Sequence, residues 1–155
     1  MPNFRVSDVR CVQYEISISI NAPRERVWKG LTEQLSSWWL PDFHMLGPDS
    51  VVQLEPRAGG RLFEQNSASE LLWYTVLSIT PNETLNLVGY CTAEFGGPST
   101  TMLTVRLVSD GPSTQVTIAD SLFGVVSDGH ASSLSAGWAQ LFRDGLKKFV
   151  ELSMT

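Results

Sequence analysis

The feature that most constrains this chain is one long amphipathic helix that follows a series of strands. Residues 130–153 carry apolar side chains at three- and four-residue steps, which places them on one helix face: Leu134, Trp138, Leu141, Phe142, Leu146, Phe149 and Val150. Gly137 and Gly145 lie beside this stripe, where a helix allows other backbone to approach closely. A rise of about 1.5 Å per residue makes the helix ~35 Å long, enough to cross a small sheet. Because a helix across a curved antiparallel sheet leaves space between the two layers, we expect a functional site in that space.

The rest of the chain indicates strands separated by turns. Residues 11–20 alternate between apolar and polar side chains, the pattern of a half-buried strand. Six further strands are predicted between turn-forming residues, at 51–54, 61–65, 71–79, 85–91, 101–108 and 114–123. Between the first two strands, a helical segment begins at Pro23, breaks near Thr32 and Glu33, and ends before Pro41. Strands that run together, with helices to one side, favour an α+β fold.

Composition narrows the class of protein. The chain has 155 residues and is 43% hydrophobic, so we expect one globular domain over residues 1–155. Because 16 acidic residues outnumber 11 Lys and Arg residues, a nucleic-acid partner is not expected. Cys11 and Cys91 lack a metal-ligand spacing, and neither a metal nor a cofactor is predicted. No secretory pattern and no apolar run of membrane-spanning length occurs, which predicts a cytoplasmic protein.

Several short stretches resemble one protein superfamily. Residues 21–28 followed by Trp38 and Trp39 are similar to the opening of the SRPBCC (START/Bet v 1-like) superfamily. Residues 55–61 resemble its second-strand hairpin, and residues 74–81 with Leu85 resemble its central strands. Residues 136–141 match the pattern of its last helix. In order and spacing the stretches resemble the AHSA1-like branch, named after the C-terminal domain of the Hsp90 ATPase activator, over roughly residues 12–152.

The resemblance implies a helix-grip fold. In that fold a curved seven-stranded antiparallel sheet wraps a long C-terminal helix, and two short helices close one end. Superfamily members often hold an apolar ligand in the resulting cavity, whereas much of the bacterial AHSA1-like branch has no assigned activity. The eukaryotic activators carry a separate Hsp90-binding domain with an Asn-rich, Trp-containing motif. This chain has neither the length nor the motif for that domain, so Hsp90 activation is not expected from the resemblance.

Asp120 is the polar residue with the clearest functional signal. In the last predicted strand it shares its phase with Val116, Ile118 and Leu122, which predicts that it points inward. A buried carboxylate must be paired, hydrogen-bonded or protonated, and in a cavity it is a functional candidate. The alternative places Asp120 at a solvated rim. His130 begins the final helix and, with Asp120, forms a weak candidate pair of general base and orienting acid; otherwise it is an exposed first-turn residue.

Aromatic residues form the larger part of the predicted ligand site. Apolar pockets with a few polar groups are the usual form of a small-molecule site. The predicted ligand-binding residues are Trp38, Trp39, Phe43, Trp73, Tyr90, Phe95, Asp120, Phe123 and Trp138. The alternative for the buried members, Trp138 included, is core packing. Phe43 and Phe95 fall in loops and suit a cavity entrance, whereas His44 is predicted at the surface.

Three functions remain open from the sequence. The first is binding of a small apolar or amphipathic molecule between sheet and helix, without a cofactor. The second is a protein-interaction module of a co-chaperone-like kind, using the groove or an exposed sheet edge. The third is a cyclase-, hydrolase- or dehydratase-type enzyme that uses Asp120 and His130. A homodimer is left open, and the identity of the ligand is not predicted.

Overall fold

Alternating side chains build one antiparallel sheet in the computed structural model, which describes residues 1–155. Its seven strands are β1 (Arg10–Ile20), β2 (Val51–Leu54), β3 (Arg61–Gln65), β4 (Glu70–Thr80), β5 (Thr84–Cys91), β6 (Ser99–Asp110) and β7 (Ser113–Gly124). They lie in the order β1-β7-β6-β5-β4-β3-β2. Strands β2 to β6 each pair with the next strand in the chain, whereas β1 pairs with β7 and lies at the opposite edge from β2. The predicted seven-stranded α+β sheet is confirmed.

The pairing of the first and last strands sets the inner face of the sheet. β1 and β7 pair from Arg10 opposite Gly124 to Ile20 opposite Thr114. Along both strands the buried or half-buried side chains alternate with more exposed ones, as the sequence pattern predicts. This register places Tyr14 directly opposite Asp120 on the inner face.

Two short helices lie between β1 and β2. Helix α1 spans Arg24–Glu33 and α2 spans Leu35–Trp38, with Pro23 immediately before the first helical residue. The break falls at Gln34, whose φ of −126° is not helical, rather than at Thr32 and Glu33. Helix α2 packs near β2 and delivers the chain to a short 3₁₀ turn at Pro41–Phe43.

The C-terminal helix is continuous but changes its winding. It comprises α3 (Asp128–Gln140), a π-helical segment (Leu141–Lys147) and α4 (Lys148–Leu152). The sequence predicts a helix over residues 130–153. The observed helix begins two residues before the predicted start and ends one residue before the predicted end, and its π-helical segment was not predicted. At Gly145 an added Cβ would lie 2.5 Å from the Trp38 backbone oxygen, which confirms the close approach expected there.

The core lies between the inner sheet face and the helices. It includes a group of aromatic side chains with ring centroids 5.6–6.3 Å apart: Trp38, Trp39, Trp73, Tyr74, Trp138 and Phe142. These rings join α2, β4 and the C-terminal helix into one layer, and such pairs add stability beyond their buried area. No helix is both long and apolar enough to span a bilayer.

Candidate functional site

A cavity of about 270 Å³ lies between the sheet and the C-terminal helix. Its walls come from β4, β5, β6, α3 and the loops around residues 39–45 and 95, and 13 of its 17 lining residues are hydrophobic. Six of the predicted ligand-binding residues line it: Trp39, Phe43, Trp73, Tyr90, Phe95 and Trp138. The space expected between sheet and helix therefore exists at this end of the fold.

Three other predicted ligand-binding residues do not line the cavity. Trp38 is a core residue whose indole N–H donates to the Gly30 carbonyl at 2.8 Å. Phe123 lies on the outer face and is 60% exposed, because it alternates with the buried Leu122. Asp120 points inward and is only 2% exposed, but it lies behind the cavity wall. For Trp38 and Phe123 the predicted cavity position is wrong.

A β-bulge brings two adjacent aromatic residues to the same cavity. Between β3 and β4, Leu62 pairs with Tyr74 and Phe63 pairs with Leu72, so Trp73 is an extra residue in β4. Bulges re-aim side chains in this way and often lie beside functional sites. Both Trp73 and Tyr74 consequently line the cavity, although consecutive strand residues normally face opposite sides.

The mouth of the cavity carries exposed apolar side chains. Met45, Leu72, Tyr90 and Phe95 all line the cavity and are all at least 45% exposed. Single exposed hydrophobic residues are ordinary on protein surfaces, whereas a group around one opening marks a ligand or partner site. Of the two residues predicted at the entrance, Phe95 lies at the mouth and Phe43 lies more deeply.

Asp120 belongs to a polar network behind the cavity wall. Its two carboxyl oxygens accept hydrogen bonds from the Tyr14 hydroxyl and from the Thr101 hydroxyl, each at 2.6 Å. Burial raises the pKa of Asp120, and the bonds from Thr101 and Tyr14 oppose that rise. Burial and the hydrogen bond to Asp120 also raise the pKa of Tyr14. Thr101 lines the cavity, so the network adjoins the cavity through this residue.

His130 lines the cavity but does not form the predicted pair with Asp120. No hydrogen bond joins the two side chains; the Asp120 oxygens accept from Tyr14 and Thr101 instead. The His130 ring packs against Gly96, where an added Cβ would lie 2.6 Å from Nδ1. Its Nε2 atom is buried and has no hydrogen-bond partner in the protein. The histidine ring is therefore packed against the Gly96 backbone, and its buried Nε2 has no hydrogen bond.

The indole N–H groups of the aromatic cluster differ in whether they have a hydrogen-bond acceptor. Those of Trp38, Trp39 and Trp73 donate to Gly30 O, Phe43 O and Glu64 Oε1 at 2.8, 3.1 and 3.1 Å. The indole N–H of Trp138 is buried and has no partner. Burial and Asp120 raise the pKa of the nearby Tyr74 phenol, and hydrogen-bonding interactions with Thr101 and Trp138 lower it, although the Trp138 N–H does not reach an acceptor in full hydrogen-bond geometry. Trp138 is thus the one indole of this cluster without a well-formed hydrogen bond, and Tyr74 is the polar group that it approaches.

Glu64 is a second buried carboxylate, and it fixes part of the cavity wall. It is 0% exposed. Oε1 accepts hydrogen bonds from the Met45 backbone N–H and the Trp73 indole, both at 3.1 Å. Oε2 accepts from the Leu46 backbone N–H at 2.8 Å and from the Ser50 hydroxyl at 2.6 Å. Two of these donors belong to residues that line the cavity.

The hydrogen bonds decide the protonation of Glu64. Burial alone would raise the pKa of this carboxyl, but the four donors outweigh it and hold the pKa below its ordinary value. The group is therefore a carboxylate at neutral pH. It ties the loop after the 3₁₀ turn to β3 and to the Trp73 ring.

His44 is the clearest wrong prediction near the site. It was expected at the surface, but its side chain is only 10% exposed. Its Nδ1 lies 2.7 Å from the Ser50 hydroxyl and 3.8 Å from the Glu64 carboxylate. The loop folds back onto β3 because Glu64 accepts its backbone N–H groups, and this buries the imidazole.

Sequence reasoning missed most of the polar and aliphatic lining. The missed residues are Met45, Leu71, Leu72, Tyr74, Cys91, Thr101, Ser133, Leu134, Gly137 and Leu141. For Glu64 a signal was present, because in β3 it shares its phase with the buried Leu62. No group of His, Cys, Asp and Glu side chains is arranged to hold a metal ion.

The fold and cavity together define a helix-grip protein of the SRPBCC superfamily. Within it, the chain belongs to the family described as Activator of Hsp90 ATPase homolog 1-like protein, which matches residues 21–151. The resemblance read from the sequence motifs is confirmed. No protein of curated function matches the sequence significantly.

Solved structures with similar folds share little sequence with this chain. Protein MLL2253 from Mesorhizobium loti is 21% identical, with a TM-score of 0.68 over 93% of this chain and 98% of its own. The Aha1 dimer from Colwellia psychrerythraea is 20% identical, with a TM-score of 0.64 over 90% and 96%. Ara h 8.0201 is 11% identical, with a TM-score of 0.68 over 91% and 98%. These likenesses establish the fold.

Proposed function

We propose that this protein binds a small, mainly apolar molecule in the cavity between the sheet and α3. The observation that carries the proposal is a cavity of about 270 Å³ with a predominantly hydrophobic and aromatic lining and a few inward polar groups. Ligand sites in proteins have this composition, and their volumes start at roughly 300 Å³. The ligand is therefore small, larger than benzene, which fills a cavity of about 150 Å³.

Gly137 provides a direct test of the cavity. It lines the cavity on α3, and an added Cβ would meet only the Phe43 ring, at 3.4 Å. Gly137→Leu should fold and fill part of the cavity. Gly129→Leu is the matched control, since Gly129 lies on the same helix, outside the cavity, with no atom near an added Cβ.

The measurement combines native mass spectrometry of freshly purified protein with a thermal-shift panel of small apolar compounds. Ligand binding raises the melting temperature by mass action. Wild type and Gly129→Leu should show retained or added ligand, and Gly137→Leu should show neither. If no compound shifts the wild type and no ligand is retained, the proposal fails.

A protein-interaction role is the second candidate, favoured by the exposed apolar mouth. Met45, Leu72, Tyr90 and Phe95 surround the opening, and an Aha1 protein with this fold forms a dimer. If a second copy covers the mouth, sedimentation should show a dimer that Leu72→Lys dissociates. A monomer at all concentrations would remove self-association at the mouth.

A further inference from the structure

The Tyr74 hydroxyl faces the cavity without a well-formed hydrogen bond to the protein. Tyr74 lines the cavity from β4 and is only 4% exposed. Three buried side-chain atoms of the protein have neither a hydrogen-bond partner nor accessible surface: Ser99 Oγ, His130 Nε2 and Trp138 Nε1. The Tyr74 oxygen also lacks a partner in full hydrogen-bond geometry, but it does not belong to this inaccessible group. It therefore keeps surface that a ligand atom in the cavity can reach.

Close packing fixes the position of the Tyr74 ring. An added Cβ at Gly89 on β5 would lie 2.9 Å from Tyr74 Cδ1, so the ring rests against backbone that only a glycine leaves open. The centroid of the Trp138 ring lies 6.0 Å from that of Tyr74. A side chain that is already held in place loses little conformational freedom when it binds a ligand. The hydroxyl is therefore presented to the cavity in one position.

The groups around the Tyr74 oxygen leave its own proton available. The Trp138 indole, which approaches this oxygen, can only donate a hydrogen bond. The Thr101 hydroxyl also approaches it, but Thr101 gives its proton to Asp120 at 2.6 Å. Burial and Asp120 raise the pKa of Tyr74, so the phenol stays protonated at neutral pH. The hydroxyl consequently offers an O–H donor, and the partner that it lacks is an acceptor atom.

The charge around the cavity favours an uncharged acceptor. No Lys or Arg residue lines the cavity, and His130 is the only basic lining residue. The Asp120 carboxyl opposes a negative charge on the Tyr74 oxygen, and it would oppose an anionic ligand group at the same place. A buried anion needs a paired cation or several donors. A ketone oxygen bears no such penalty.

We propose that the Tyr74 hydroxyl determines the specificity of the cavity by donating a hydrogen bond to the oxygen of an uncharged, mainly apolar ligand of the ketone class. The inference rests on the proposed function, because it concerns the same cavity. The rest of the ligand packs against the apolar lining. A hydrocarbon analogue is bound less well, since it leaves the hydroxyl without an acceptor.

Tyr74→Phe tests the proposal because it removes the hydroxyl and keeps the ring. Tyr90→Phe is the matched control, since Tyr90 also lines the cavity but is exposed at its mouth. Calorimetry measures the affinities of butyrophenone and butylbenzene for wild type and both variants. The ratio of butyrophenone to butylbenzene affinity should fall about five- to tenfold in Tyr74→Phe, the factor expected for one hydrogen bond. In Tyr90→Phe the ratio should stay at the wild-type value. Phenylpropionate should bind wild type at least about tenfold more weakly than butyrophenone.

Isotope-edited infrared spectroscopy of bound butyrophenone keeps the inference testable on the wild type alone. A hydrogen bond lowers the carbonyl stretching frequency, so the band should lie below that of butyrophenone in hexane, and Tyr74→Phe should restore it. An unshifted band in wild type would overturn the inference.

The affinities separate failure of the inference from failure of the proposed function. If both probes bind and their ratio is the same in wild type and Tyr74→Phe, or falls equally in Tyr90→Phe, the inference is wrong and the proposed function stands. Phenylpropionate binding as tight as that of the ketone would also overturn the selection for uncharged ligands. If none of the three probes binds, the inference and the proposed function both fail.

Discussion

Replacing Glu64 with Gln tests whether this carboxylate holds the cavity wall together. Each carboxylate oxygen accepts two hydrogen bonds, and Gln retains only one oxygen. The better amide orientation places the NH₂ group at the Oε2 position. There the Ser50 hydroxyl can turn to the Gly47 carbonyl, 2.9 Å away, and accept from the amide. The Leu46 N–H then faces another donor and is left unpaired.

The cost follows from these contacts. One unpaired buried N–H costs about 1–3 kcal/mol, and weakening the remaining charge-assisted bonds adds about 1 kcal/mol. We expect Glu64→Gln to lower the free energy of unfolding by about 3 kcal/mol, which corresponds to roughly 6–12 °C in melting temperature. The removal of a buried charge does not cancel this loss, because the hydrogen bonds already hold the pKa of Glu64 below its ordinary value.

Urea unfolding followed by tryptophan fluorescence measures the effect. Glu70→Gln is the control, since Glu70 is exposed and its nearest ionic contact, Arg61, is 3.7 Å away; it should change stability by less than about 0.5 kcal/mol. A folded pKa below the unfolded one gives stability that is present at neutral pH and lost as pH falls below about 4. The difference between wild type and Glu64→Gln should therefore shrink in acid. A Glu64→Gln effect below about 0.5 kcal/mol at neutral pH would refute the reasoning.

Two further predictions concern the helix and the second carboxylate. Gly145→Ala should destabilise the protein although alanine favours a helix by about 1 kcal/mol, because the new Cβ would collide with the Trp38 carbonyl. Gly137→Ala should be neutral or stabilising by up to about 1 kcal/mol. Equal melting temperatures for the two variants would contradict this. Asp120→Asn should gain stability relative to wild type as pH rises above about 4, because burial raises the folded pKa of Asp120 and ionisation then costs wild-type stability. If urea unfolding shows the same free-energy difference between the variant and wild type at every pH, the prediction is wrong.

Local sequence patterns predicted the elements well because they depend on near neighbours. The period-two alternation of residues 11–20 and 114–123 gave the strands and the inward side of Asp120, and the helical stripe gave the C-terminal helix. The same alternation in β3 places Glu64 on the side of the strand that holds the buried Leu62. Its four donors come from a loop and a neighbouring strand, so the reason that a carboxylate is tolerated there is not local.

The cavity lining depended on irregular backbone that no pattern announced. Trp73 and Tyr74 both reach the cavity because β4 contains an extra residue relative to β3, and a bulge has no clear signature in these residues. His44 is buried because its loop returns to Glu64. Both features arise from pairing between distant segments, whose register is set by the whole sheet.

The buried polar groups differ in hydrogen bonding: two carboxylates are fully paired, whereas a few other buried atoms have no partner. Glu64 and Asp120 have partners on both oxygens, and neither lines the cavity. Trp138 and His130 line the cavity, and each keeps a buried nitrogen without a partner. Buried polar atoms are normally paired, and exceptions need a physical reason. Ser99 Oγ is likewise buried without a partner although Ser99 does not line the cavity, and none of the three atoms has surface that water can reach. The C-terminal helix therefore contributes to the cavity wall as well as to packing.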